Sequence, residues 1–204
     1  MDDTMQKLMD ILDKRILITG DVNTGKTTLS RTLVEGLCLH GLSARIVIVD
    51  MAPEIPEEIA VTQGIKGVGG KLLAAGWDEL LYLSATLKPP RLSSKSEQEA
   101  LFVAEENSAK IDGLLQRVPG TGRDILFIND VSMYLQAGSA RALLKWIGTV
   151  PTVVANGYFG RKLGTGILSM KEASEMKKLM ASFPFHVSMP GASLEEVLRG
   201  KIPK

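Results

Sequence analysis

Two hydrophobic periods alternate along the chain. Short apolar runs rich in β-branched residues, bounded by turn formers, predict strands at residues 16–19, 45–49, 80–84, 125–128, 152–155 and 185–189. Between most of them, apolar residues recur at helical spacing. These stretches predict helices at 26–40, about 96–117, 139–147, 171–182 and 193–199. A shorter helix is predicted at 4–14, with Met5, Leu8, Met9 and Leu12 on one face and Asp3 or Thr4 as its cap. Strands alternating with helices predict an α/β fold, a mostly parallel sheet covered on both faces. The pattern breaks between Met51 and Ser96, where Pro53, Pro56, Gly64, Gly67, Gly69, Gly70, Pro89 and Pro90 cluster. Such length outside regular elements is read as a switch or substrate region at about 51–96, within one domain spanning 1–204.

The junction of the first strand and first long helix carries the most specific signal. Gly20, Asp21, Val22, Asn23, Thr24, Gly25, Lys26, Thr27 and Thr28 spell G-x-x-x-x-G-K-[ST]. The run Ile16-Leu17-Ile18-Thr19 leads into it, and Leu29, Leu33, Val34 and Leu37 follow until Gly41. Strand, glycine loop and helix N-terminus together aim backbone N–H groups and a helix dipole at an anion. In that arrangement Lys26 reaches the β- and γ-phosphates of a nucleotide and the Thr27 hydroxyl ligates Mg²⁺. The expected architecture is a three-layer α/β/α P-loop domain with a mostly parallel sheet.

Two further strands end in acids. The run 45–49 delivers Asp50 to the carboxyl edge of the sheet, where open α/β proteins bind ligands. A carboxylate there can ligate Mg²⁺ or take a proton from an attacking hydroxyl. Glu54, Glu57 and Glu58, close behind, read as a solvated face. The run Ile125-Leu126-Phe127-Ile128 ends in Asn129-Asp130, and either residue can take the metal-facing position. Lys26, Asp50 and Asp130 are therefore the candidate catalytic residues; Thr27, Asp50 and Asp130 are the candidate metal ligands.

Composition removes several classes. A chain of 204 residues, 45% hydrophobic, can bury one good core. Net charge of +1 argues against a bulk electrostatic grip on nucleic acid or an acidic membrane. The lone Cys38 reads as a small buried hydrophobe and excludes an internal disulfide. No run approaches the ~18 apolar residues of a membrane span. The acidic start, Met1-Asp2-Asp3, is unlike a secretory signal, so a cytoplasmic protein is expected.

On these residues the chain resembles the SIMIBI class of P-loop NTPases, and within it the RNA 5′-hydroxyl polynucleotide kinases. The resemblance runs from about Arg15 to Asn156. It rests on the phosphate loop, Val49-Asp50, Gly67-Val68-Gly69-Gly70, Leu83-Ser84-Ala85, Phe127-Ile128-Asn129-Asp130-Val131-Ser132 and Pro151-Thr152-Val153-Val154-Ala155. It implies an ATP- and Mg²⁺-dependent phosphotransferase acting on a 5′-hydroxyl. The chain departs from those kinases in two places. Met51-Ala52-Pro53-Glu54 stands where they carry the rest of an Asp-x-Gly-Gln signature, and Asp130 replaces the threonine of their V-N-T segment.

Lys88, Arg91 and Lys95, on the proline-bearing loop, and Arg161 and Lys162 are the cations that could meet phosphates. An arginine over a transferring phosphoryl can speed transfer by about 10³–10⁵. Tyr158 and Phe159 could stack a base, the alternative being that they turn into the core. Asn156 ends the strand 152–155 at the place of the guanine-reading asparagine, but Asn156-Gly157-Tyr158-Phe159 lacks the accompanying aspartate. ATP is therefore expected over GTP, with Asn156 and the run Ser188-Met189-Pro190-Gly191-Ala192 near the base. Three classes stay open: a phosphotransferase, a switch-like ATPase or GTPase with a protein partner, and a nucleotide-binding module without turnover. A single-stranded RNA or DNA 5′ end is the partner implied by the first, and no membrane is expected.

Overall fold

The computed structural model describes residues 8–55, 70–72, 76–160 and 162–191. The predicted helix at 193–199, together with Met5, Glu57, Glu58, Gly67, Gly69, Arg161 and Ala192, lies outside them. In chain order the elements are β1 (Arg15–Gly20), α1 (Lys26–Leu39), β2 (Ile46–Asp50), β3 (Leu81–Ser84), α2 (Pro90–Ser93), α3 (Glu97–Leu115) and β4 (Ile125–Asn129). Then follow α4 (Ser132–Leu135), α5 (Ala140–Ile147), β5 (Thr152–Tyr158), α6 (Ile167–Ser182) and β6 (Phe185–Met189).

The six strands form one sheet in the order β3-β2-β4-β5-β1-β6, and every pairing is parallel. Side chains alternate across each strand, so neighbours in sequence fall into different cores. Ile16, Ile18, Ile46, Ile48, Phe127 and Val154 pack with Leu29, Leu33, Val34 and Leu37 of α1. Leu17, Val47, Val49, Leu126, Ile128, Val153 and Ala155 pack on the other face with Ile111 of α3, Leu135 of α4, Leu143 of α5 and Leu179 of α6. Strands buried on both faces read as continuous apolar runs, as these do. The fold is a three-layer α/β/α P-loop fold with a parallel sheet.

Near the start of the described chain, Leu8 and Ile11 are buried against the α1 face and Leu12 only partly, so the apolar stripe differs from the one expected. Leu8 seats over Gly36 of α1, where an added Cβ would come within 2.9 Å of it. Two boundaries also move. α6 begins at Ile167 rather than 171, and β5 runs on to Tyr158 because Asn156 and Gly157 keep pairing with Ile18 and Thr19 of β1.

Candidate functional site

All six strands point their carboxyl ends the same way, so the loops after β1, β2, β4 and β5 share one edge. The loop after β1 is wound tightly. Asn23 has φ +59° and Gly25 φ +87°, left-handed values that glycine and asparagine tolerate best. Gly20 is required for another reason: a Cβ there would lie 2.4 Å from the Met189 carbonyl oxygen of β6. Within the loop the Thr24 hydroxyl donates to the Asp21 carbonyl at 2.9 Å, and Lys26 Nζ donates to the same oxygen at 2.6 Å. Gly25 caps α1 without any side-chain acceptor, which leaves the first N–H groups of the helix for an anion.

This loop forms one side of a cavity of about 450 Å³, lined by residues 22–28 together with Arg31, Ala52, Arg91, Asp130, Gln136 and Tyr158, among others. Burial lowers the pKa of the Lys26 ammonium, opposed by the nearby charges of Asp130 and Asp21. Burial raises that of Asp130, against the lowering pull of the Ser132 hydroxyl and Lys26. Asp130 also holds φ +57°, uncommon outside glycine, with its carboxylate accepting from Ser132 Oγ at 2.5 Å. An anion entering beside Lys26 would meet that ammonium, the Asp130 carboxyl group and a row of backbone donors.

Behind the cavity wall lies a fully connected polar ladder. Asp50 is fully buried and its carboxylate accepts from Ala52 N (3.0 Å), Asn129 Nδ2 (2.9 Å), Leu72 N (2.5 Å) and the Tyr82 hydroxyl (2.5 Å). Two carboxylate oxygens offer about four acceptor sites, so neither is open to a proton or a metal without breaking one of these bonds. Burial, followed by the hydrogen bond to Asp50, pushes the Tyr82 hydroxyl pKa well up. Asn129 is the residue of the Asn129-Asp130 pair that meets Thr27: its Oδ1 accepts from the Thr27 hydroxyl at 3.3 Å and from Asn156 Nδ2 at 3.0 Å. Its Nδ2 donates to Asp50 and to the Gly70 carbonyl at 2.9 Å each. β4 does not pair with β1, since β5 runs between them, yet the Thr27–Asn129 contact spans the gap.

Asn156 completes the ladder. It is 2% exposed, donates to Ser30 Oγ at 2.9 Å and accepts from the Asp130 N–H at 3.0 Å. Its amide is engaged within the sheet, and the residue also lines the cavity beside the phosphate loop. Phe159 packs against the main core, as the less functional reading of the aromatic pair expected, whereas Tyr158 lines the cavity.

The sequence reading singled out neither Gln136 nor Glu172. Arg91 Nη2 pairs with Glu172 Oε2 at 2.8 Å, and Gln136 Nε2 donates to that oxygen at 3.0 Å. Nothing local marked them: Glu172 sits in an ordinary amphipathic helix, and only the tertiary fold brings Arg91 across to it.

No family model matches the chain, and no curated protein matches it. Among solved structures it is similar to the flagellar accessory protein FlaH from Methanocaldococcus jannaschii, at 14% identity and a TM-score of 0.47, over 87% of this chain and 71% of that one. The fold class stands on the parallel sheet and its two helical layers. No helix among the described residues is long and apolar enough to cross a membrane.

Proposed function

We propose that the chain binds a Mg²⁺–nucleoside triphosphate at the phosphate loop and transfers its terminal phosphoryl group to an acceptor hydroxyl. The observation that carries this is the meeting of the uncapped α1 N-terminus, Lys26 and Asp130 around one cavity. Triphosphate oxygens would pair with the Lys26 ammonium, and the loop N–H groups would bind phosphate oxygens. Thr27 and Asp130 would hold the Mg²⁺ with a hydroxyl and a carboxylate, oxygen donors that suit that ion. When bound, the ion neutralises charge developing on the phosphate oxygens.

The roles of the other expected residues shift with the geometry. Asp50 is inferred to act as a strut that fixes Asn129 and residues 70–72, since its lone pairs are filled. Asp130 is inferred to take over the general-base role, since its carboxyl lies on the cavity within the electrostatic reach of Lys26. ATP is preferred over GTP, because Asn156 is engaged inside the sheet and no aspartate follows it to meet guanine's donors. A polynucleotide acceptor draws less support than a small one, as Arg91 is already paired with Glu172.

One observation favours a second reading, a nucleotide-gated switch. Asn129 touches Thr27 on one side and the Gly70 carbonyl on the other, so a change at the metal-ligating hydroxyl would be felt in residues 70–72.

The experiment is γ-phosphoryl transfer from labelled ATP to small alcohols and to a 5′-hydroxyl oligonucleotide, with release to water measured alongside. Asp130→Asn is expected to lower turnover by about 10²–10⁴-fold, the range of general-base catalysis, with nucleotide affinity nearly unchanged. Full activity in that variant would remove Asp130 from the chemistry. Release to water alone, dependent on a protein partner, would favour the switch.

A further inference from the structure

Past Asp130 the cavity changes character. Thr27 at the phosphate loop reaches Asn129 at the end of β4, and β2 and β3 lie beyond β4 in the sheet. The segments after β2 and β3 therefore border the side of the cavity where a terminal phosphoryl group would lie. Their contribution is apolar. Pro53 and Ile55 follow β2, Pro89, Pro90 and Leu92 follow β3, and Leu163 joins them from the loop after β5.

Ile55, Leu92 and Leu163 set this wall apart. Each is half-buried and lines the cavity, yet among the described residues none of the three packs into a hydrophobic core. Single exposed aliphatics are ordinary. Three that converge from separate segments on one cavity are the lining expected of a small-molecule pocket. Charge points the same way. Arg91 is the cation set among them, and its guanidinium is paired with the buried Glu172 at 2.8 Å. An anionic ligand on this wall would compete with Glu172 and lose its hydration against leucine and proline, a costly transfer. An uncharged body meets neither cost, and covering the wall with it is favourable in proportion to the apolar area removed from water.

We propose that this wall is the subsite for the second substrate, an uncharged alcohol whose hydroxyl is carried on an apolar body. The body lies against Ile55, Leu92 and Leu163, and the hydroxyl faces the terminal phosphoryl group beside Lys26. This rests on the phosphotransferase reading and narrows its acceptor from any small hydroxyl to an apolar one. In the transfer the alcohol oxygen bonds to the γ-phosphorus, and the bond from that phosphorus to the β,γ-bridging oxygen breaks. The nucleoside diphosphate leaves with that electron pair, and the hydroxyl proton is released to bulk water.

The test is saturation-transfer NMR on the full chain with MgADP present, using 1-butanol, 1-pentanol and 1-hexanol as probes and glycerol and glycerol 3-phosphate as controls. Affinity should rise about threefold to fourfold with each added methylene, the scale of burying one, and 1-hexanol should bind more tightly than either control. Leu92→Asn, which wets the wall without touching a core, should weaken 1-hexanol about tenfold and leave MgADP unchanged. Should that variant not fold, Leu163→Asn is expected to give the same selective loss. With MgATP in place of MgADP, the KM of the alcohols should fall along the same series. A flat series, or a control that binds more tightly than 1-hexanol, overturns the proposal and leaves the nucleotide reading standing. So does displacement of 1-hexanol by MgADP, or equal weakening of both in Leu92→Asn, since either gives the wall to the nucleotide base. Alcohols that bind beside MgADP but are never phosphorylated by MgATP overturn the acceptor assignment and the phosphotransferase reading together. Failure of MgADP itself to bind overturns nucleotide binding as well.

Discussion

At the residue scale, Asp130 carries the most tension. Its backbone holds φ +57°, its carboxyl is desolvated, and Lys26 compensates only in part. Strain and perturbed ionisation gather at sites where a ligand completes the arrangement. The pH consequence has a definite sign. A folded-state pKa above the ordinary 3.8 means that the protonated form is favoured in the native protein, so the stabilisation is full below about 3.8 and is lost as pH rises through the folded pKa. Asparagine keeps an acceptor for Ser132 and tolerates left-handed backbone. Asp130→Asn is therefore expected to melt higher than the wild type at pH 7–8, with the gain shrinking as pH approaches 3.8. Scanning melts at several pH values measure it; a variant less stable at pH 8 than at pH 4, relative to wild type, would contradict the assignment.

At the scale of elements, the strand centres were legible because burial on both faces leaves continuous apolar runs, and the phosphate loop was legible because its glycines and lysine are fixed by spacing. Boundaries were less so. Asn156 and Gly157 look like a stop in the sequence, yet they continue β5 because backbone pairing with β1 does not depend on side-chain polarity. Asp50 was read as a functional strand end on position alone; its position is as expected, but its four partners come from Ala52, Leu72, Tyr82 and Asn129, which no spacing rule joins. An amide at this position would turn donors against donors. Asp50→Asn should thus destabilise the fold by about 1–3 kcal/mol for each donor left without an acceptor. Denaturant unfolding would show it as a lower midpoint, and an unchanged midpoint would mean that Asp50 is free after all.

For the whole molecule, strand order decides what can meet. β4 is separated from β1 by β5, so the acid-bearing strand does not flank the phosphate loop by hydrogen bonding, and the Asn129–Asn156–Ser30 ladder bridges the distance instead. Periodicity locates strands but not their neighbours, which parallel crossovers set. The Arg91–Glu172–Gln136 cluster was hidden for the same reason. What the fold delivers to one edge is a phosphate loop, a buried polar ladder behind it and a charged wall across from it. The most direct measurement is calorimetric titration of MgATP into the wild type and Lys26→Ala. The wild type should bind. The variant, which removes a cation from the cavity and nothing from either core, should keep its circular dichroism and lose about tenfold to a hundredfold in affinity, the scale of a charge-assisted contact. No heat from MgATP, ADP or GTP with the wild type, or equal affinity in Lys26→Ala, would contradict nucleotide binding at this loop.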